Sequence, residues 1–124
     1  MERNLSVHSL RSQIQFEAIQ SNTNQLFQDK TLRPILKFQH EIILAIFNNY
    51  LQKHKLYFNQ LNSEQRNNKI EQIFKQNLAL QSLFKGLIIG LFDKEEIDYW
   101  LLNKNEINKR MIQLLIKRIQ SSME

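Results

Sequence analysis

The hydrophobic pattern of the chain centres on Thr31–Lys55, where apolar residues occupy most sides of a helical wheel drawn at about 100° per residue. The run Ile42–Phe47 contains no polar residue at all. Only a narrow polar strip interrupts the pattern, formed by Lys37, Glu41, Asn48 and Gln52. A helix of this kind in water must be covered on most sides by other parts of the protein or by a partner. The pattern therefore predicts that Thr31–Lys55 is the central helix of a small bundle.

Helix-start signals divide the rest of the chain into further helices. Asn62 with Gln65, and Asp93 with Glu96, have the spacing of a capping box. Helices are predicted over residues 63–77, across the glycine-bearing segment near residues 80–90, over residues 94–102, and from about residue 103 to residue 121. The chain is thus expected to be all-α, a single-domain bundle of four to five helices around a central helix near residues 31–55.

Three small residues, Ser82, Gly86 and Gly90, follow one another at intervals of four. On a helix this spacing places them in one row, with large apolar residues on the opposite side. Glycine inside a helix costs about 0.5–1 kcal/mol relative to alanine, so two in one row need a compensating reason. We expect close helix packing at this row, and the alternative is that the glycines open the backbone to a ligand.

Residues 1–28 have the weakest pattern. One thin apolar stripe predicts a weak helix from Ser6 to Gln20, partly flexible and docked loosely or ordered on binding. The stripe consists of Val7, Leu10, Ile14 and Ala18. Leu26 and Phe27 are placed to pin the following connection to the core. We therefore divide the chain into an N-terminal segment, residues 1–28, and a helical bundle domain, residues 29–124.

Composition supports an all-α fold and indicates the cellular compartment. The 124 residues are 42% hydrophobic and include only two Gly and one Pro, which disfavours a fold of many short strands and turns. There is no cysteine, so disulfides and cysteine-ligated zinc are excluded. No secretion signal or membrane span is predicted. We expect a cytoplasmic protein with no membrane contact.

Basic residues are concentrated in the last predicted helix. The formal net charge is +5, a moderate value that does not by itself indicate nucleic-acid binding. The C-terminal stretch carries a basic stripe of candidate contact residues for nucleic acid or a partner, Lys104, Lys109, Arg110, Lys117 and Arg118. The other interpretation is that this charged face only keeps the domain in solution.

The spacing of the histidine and acidic residues matches no catalytic or metal-binding motif. His40-Glu41 begins the zinc-protease helix motif, but Leu44 stands where the second histidine is required. His54 lies about 21 Å farther along the same predicted helix, too far to share an ion with His40. The acidic residues 93–98 suit the positive end of a helix dipole. We predict a protein that is not an enzyme, with no catalytic residue, cofactor, metal or small-molecule substrate.

Three runs carry a resemblance: Lys30–Gln39, Lys85–Gly90 and Asn108–Met111. They resemble a family of small uncharacterised bacterial all-α proteins that often bear the label glyoxalase, and the similarity covers residues 29–120. The resemblance implies an all-α fold. It implies no catalytic residue, because glyoxalases resemble paired βαβββ modules with histidine and glutamate metal ligands in strands, and this chain has no such pattern.

The leading hypothesis is a non-catalytic helical protein-interaction module, with self-association as one form of it. So apolar a helix in so small a domain is expected to leave surface for a partner. The alternative is an RNA- or ribosome-associated accessory factor that binds through the basic stripe on the C-terminal helix.

Overall fold

Helices form the regular elements of residues 23–123, the part of the chain that the computed structural model describes. A π-helical turn, Gln28–Leu32, joins the first two, and a 3-10 turn, Phe58–Gln60, precedes the fourth. The helices are α1 Thr23–Phe27, α2 Arg33–Phe38, α3 His40–Lys53, α4 Ser63–Gln76, α5 Leu78–Ile89, α6 Lys94–Leu102 and α7 Lys104–Ser122. The predicted all-α class is confirmed, and the described chain forms one domain. It contains more helices than the four to five predicted, because the central helix is divided and α1 was not predicted.

The predicted continuous helix Thr31–Lys55 is corrected to two helices, α2 and α3. Gln39 leaves helical geometry at φ −89° and ψ 6°. Its side-chain amide donates to the Leu87 carbonyl oxygen of α5 at 3.1 Å. The interruption is thus tied to a contact with a distant element, which no local pattern reveals.

Helical backbone also begins earlier than predicted. From Thr23 it runs through the π turn, in which the Arg33 N–H bonds the Gln28 oxygen five residues before it. Pro34 lies in the first turn of α2, where its missing N–H costs little. Phe27 is buried in the core, as expected of a residue that pins the connection before the central helix. The helix predicted over residues 6–20 lies outside the described residues.

Both predicted capping boxes are confirmed. Asn62 Oδ1 accepts from the Gln65 N–H at 2.8 Å, and Gln65 Oε1 accepts in return from the Asn62 N–H at 3.0 Å. Asp93 and Glu96 make the same pair of bonds at 2.8 and 2.9 Å. These bonds satisfy N–H groups that a helix start leaves without a partner, which is why α4 and α6 begin where the sequence indicates.

Aromatic side chains fill much of the core. The Phe47 ring of α3 stacks on Phe74 of α4 with centroids 5.8 Å apart, and Phe74 contacts Phe84 of α5 at 5.6 Å. At a second aromatic cluster, Phe27 stacks on Tyr99 of α6 at 4.9 Å. The core therefore joins α1, α3, α4, α5 and α6.

The last helix closes the core with one row of buried side chains. Ile107, Met111, Leu115 and Ile119 recur every four residues and are fully buried. Through this row α7 packs against α4, and also contacts α5, α6 and the π turn. Because the row takes one side only, the other sides of α7 are half-buried or exposed, and they carry the basic residues.

Coverage of α3 is one-sided. Ile43 is 0% exposed and packs in the core, whereas its neighbour Ile42 is 48% exposed. Phe38, just before the break at Gln39, is also exposed. The apolar run was expected to be covered on most sides, and within the described chain only the face that contains Ile43 and Phe47 is fully covered.

Candidate functional site

The five predicted contact residues of the C-terminal helix do not form a single stripe. The lysines among them are exposed, whereas Arg110 and Arg118 are half-buried and reach other helices. Successive residues of a helix point about 100° apart, so Lys117 and Arg118 face different surroundings although they are neighbours in sequence. The structure thus divides the predicted stripe into separate contacts.

Lys104 lies at the corner between α6 and α7. Its Nζ is 5.1 Å from the centre of the Trp100 ring, within the range of a cation–π contact. The ring is held in place because Trp100 Nε1 donates to Asn108 Oδ1 at 2.8 Å. Lys104 is therefore stacked locally while it remains at the surface.

Arg110 ties the N-terminal helical segment to α7. Its Nε donates to Glu106 at 3.0 Å, which pairs its charge within the same helix. Its Nη1 donates to Gln28 at 3.0 Å and to Gln25 at 3.3 Å. These contacts account for Arg110 as a structural residue.

Arg118 points toward α2 and α3. Its Nη1 lies 3.2 Å from His40 Nδ1. Burial of the guanidinium, and after it the positive charge of Arg33, lower the pKa of Arg118. Arg118 is thus a charged group in surroundings that disfavour its charge.

A groove of about 570 Å³ runs between α4, the start of α5 and α7. We call it the α4–α7 groove. Its accessible apolar surface comes from Ile112 and Ile116, one turn apart on α7, because Phe74, which also lines it, is 0% exposed. Its size and shape suit apolar side chains of another molecule, because the two half-buried isoleucines leave apolar surface accessible.

Positive charge borders this groove. Lys75 and Lys117 lie at its rim and form no ion pair with any residue in the described range. The one carboxylate at the groove is Glu71, which accepts a hydrogen bond from Gln120 Nε2 at 3.4 Å. Two lysines against one carboxylate give the groove a net positive charge, which favours an acidic ligand.

The exposed face of α6 carries a small net negative charge, with Lys94 beside two carboxylates. Glu95 and Asp98 lie on it together with Leu101 and Leu102, which are 54% and 85% exposed. Asp98 is paired with Lys94 at 2.7 Å, whereas Glu95 has no partner in the described range. This surface therefore combines uncovered leucines with carboxylate groups at helical spacing.

The prediction of close helix packing at Ser82, Gly86 and Gly90 is corrected, because all three residues are exposed. A Cβ atom placed on Gly86 would meet no atom within 4 Å, and one on Gly90 would lie 3.0 Å from the Gly86 oxygen. The helix instead buries its large side chains, among them Phe84 and Ile88. Burial of these side chains removes far more apolar surface from water than contact through glycine.

The acidic residues at the start of α6 are held by structural contacts. Asp93 and Glu96 form the capping box, and Glu96 Oε2 also accepts from the Thr31 hydroxyl at 2.7 Å. This agrees with the expectation that they stabilise a helix start. Across residues 23–123 no group of three or more histidine or acidic residues is placed to hold a metal ion.

Sequence reasoning missed the α4–α7 groove and the approach of Arg33 and His40 to Arg118. The groove depends on how α4 and α7 are packed, and the two ends of the Arg118–His40 contact are 78 residues apart. The available signal was the half-apolar face of α7, where Ile112 and Ile116 lie beside the buried row.

Comparison of the chain with protein-family models, curated proteins and solved structures finds no match. The resemblance to the small bacterial all-α family therefore stays a prediction. None of the helices between residues 23 and 123 has the length and apolar character needed to cross a membrane.

Proposed function

We propose that this protein is a non-catalytic, self-associating interaction module in which the exposed face of α6 from one copy occupies the α4–α7 groove of the next. The observation that supports the proposal is the match between two surfaces of the same chain. One is an apolar groove bordered by Lys75 and Lys117, and the other is a helix face with exposed leucines and carboxylates.

The spacing of the two surfaces agrees with this arrangement. Glu95 and Leu102 are seven residues apart on α6, about 10 Å at 1.5 Å per residue. Ile112 and Lys117 are about 7–8 Å apart along α7, and the lysine side chain extends farther. Leu102 can therefore rest on the isoleucines while Glu95 approaches Lys117.

Such an interface is heterologous, because the two contacting surfaces differ. Each copy uses its α6 face on one neighbour and its groove on another, which produces a ring or an open chain. Burial of the leucines provides the apolar contribution, and the pair between Glu95 and Lys117 selects the orientation.

Light scattering with size-exclusion chromatography, from low micromolar to millimolar protein, tests the proposal. The average mass of the wild-type protein is expected to rise with concentration, since the interface is small. Lys117→Glu and Leu102→Lys should each keep the protein monomeric. Lys109→Glu is the matched control, because Lys109 is an exposed lysine of α7 outside the groove.

Mixing gives the sharper result. A Lys117→Glu copy retains its α6 face and a Leu102→Lys copy retains its groove, so the mixture should form one-to-one dimers although neither variant associates alone. A second charge reversal, Glu95→Lys, should restore association to Lys117→Glu.

A wild-type protein that stays monomeric at millimolar concentration would refute self-association. If Lys109→Glu weakened association as much as Lys117→Glu, the groove would not be the contact surface. Salt-dependent binding of RNA that is lost equally with Lys109→Glu and Lys117→Glu would instead favour the RNA-associated alternative.

A further inference from the structure

An arginine and a histidine from two helices meet at the C-terminal half of α7, and a second arginine lies near enough for its charge to act on the first. Arg33 begins α2, His40 begins α3, and Arg118 belongs to α7. Arg118 Nη1 contacts His40 Nδ1, and the charge of Arg33 acts on Arg118. The proposed self-association uses none of these residues.

The carboxylate that contacts Arg33 is Asp29, and it is already engaged. Asp29 accepts from Arg33 Nε at 2.9 Å and from Gln25 Nε2 at 2.9 Å, and it is buried. Arg118 has no ion pair with any carboxylate of the described chain. One positive charge of the cluster is therefore uncompensated, even when His40 is neutral.

An uncompensated guanidinium that is partly buried is unfavourable, since burial removes water from the charge and supplies no counter-charge. The lowered pKa of Arg118 has the same two causes, burial first and the repulsion by Arg33 second. An anion bound at Arg118 would supply the missing counter-charge and would offset the repulsion by Arg33.

The available donors fit a particular anion. A His40 Nδ1 that accepts from Arg118 leaves the proton of the neutral ring on Nε2. Arg33 uses only its Nε in the contact with Asp29, and its side chain is 54% exposed, so the cluster is open to solvent. Several N–H groups that arrive from separate helices match the three terminal oxygens of a phosphoryl group better than a planar carboxylate.

We propose that Arg33, His40 and Arg118 form a binding site for a phosphoryl group, supplied as inorganic phosphate or as a small phosphate monoester.

An NMR titration at constant ionic strength tests this site. Inorganic phosphate and phenyl phosphate are added separately, with chloride as the balancing anion and acetate as the carboxylate control. The His40 ring resonances are expected to shift and saturate with phosphate. His54 serves as the internal control, because it lies against Tyr50 just beyond the other end of α3. Tighter binding of phenyl phosphate would identify a monoester as the ligand, and equal binding would identify free phosphate.

Substitutions locate the binding. Arg118→Met and Arg33→Met should each weaken phosphate binding about ten-fold to a hundred-fold, the loss expected for a charged hydrogen bond. Lys109→Met is the matched control, because it removes a positive charge from an exposed position of the same helix that contacts none of the three site residues. If Arg118→Met fails to fold, Arg118→Lys keeps the charge without the planar fork and should also bind more weakly.

Three results would overturn the assignment: no saturable shift at His40 with either phosphate, equal binding of acetate, or an equal loss in Lys109→Met. The outcome is separable from self-association, because the monomeric Lys117→Glu variant should retain phosphate binding.

Discussion

Ile42 and Ile43 offer a direct measurement of how α3 is covered. They are adjacent, identical side chains on the same helix, yet Ile42 is 48% exposed and Ile43 is 0% exposed. Replacing each by alanine removes the same atoms from two different surroundings. The difference between the two variants therefore reports burial and not chemistry.

The structure gives the size of each effect. Ile43→Ala should lower the free energy of unfolding by about 2–5 kcal/mol, because it removes buried methyl groups and leaves a cavity in a closed core. The three side-chain carbons that isoleucine has beyond alanine contribute about 2.4 kcal/mol when fully buried. Ile42 is about half exposed, so Ile42→Ala should lose about half of this free energy. Alanine's better helix propensity recovers a few tenths, which leaves a cost of roughly 0.5–1 kcal/mol for Ile42→Ala.

Urea unfolding, followed by far-UV circular dichroism and by Trp100 fluorescence, measures both values. The midpoint should fall much more for Ile43→Ala, with the slope unchanged in both variants. An equal loss in the two variants would refute one-sided coverage of α3. If the loss at Ile42 appeared only at high protein concentration, a second copy would be covering this face, and the α4–α7 groove would not be the sole interface.

Two further stability predictions concern the backbone, and thermal unfolding measures both. Lys55 has a positive φ of 55°, a conformation that glycine adopts without strain, so Lys55→Gly should stabilise the protein by about 0.5–1 kcal/mol. Lys53→Gly, in the last turn of α3, should instead destabilise it by about 1 kcal/mol. Equal effects of the two substitutions would contradict the assigned helix end. Gly86→Ala should stabilise the protein by about 0.5–1 kcal/mol, because a Cβ atom there meets open space. Gly90→Ala should change stability little, since its Cβ atom would press on the Gly86 oxygen. A loss of stability in Gly86→Ala would mean that the glycine face is covered.

The parts of the fold that the sequence predicted well are the ones decided within a few residues. The capping boxes at Asn62 and Asp93 need only partners three positions later, so the starts of α4 and α6 were readable from spacing. The inward row of α7 was likewise readable, because its apolar residues recur at helical intervals.

The parts that the sequence did not predict depend on distant contacts. The interruption at Gln39 involves a hydrogen bond to Leu87, 48 residues away. An all-apolar run also does not indicate which of its sides faces the core, so the sequence could not show that Ile43 is buried and Ile42 exposed. The prediction of close packing at the glycine row was wrong for a related reason, since small residues permit close packing without requiring it.

The basic stripe shows how one sequence feature separates into different roles. Lys117 and Arg118 are adjacent, but a step of about 100° directs one to the α4–α7 groove and the other to His40 and Arg33. A single basic face would make the effects of Lys117→Glu and Arg118→Met similar on every ligand. The structure instead predicts that Lys117→Glu removes self-association and leaves phosphate binding, while Arg118→Met does the reverse. Loss of both properties in either variant would mean that the two surfaces act as one.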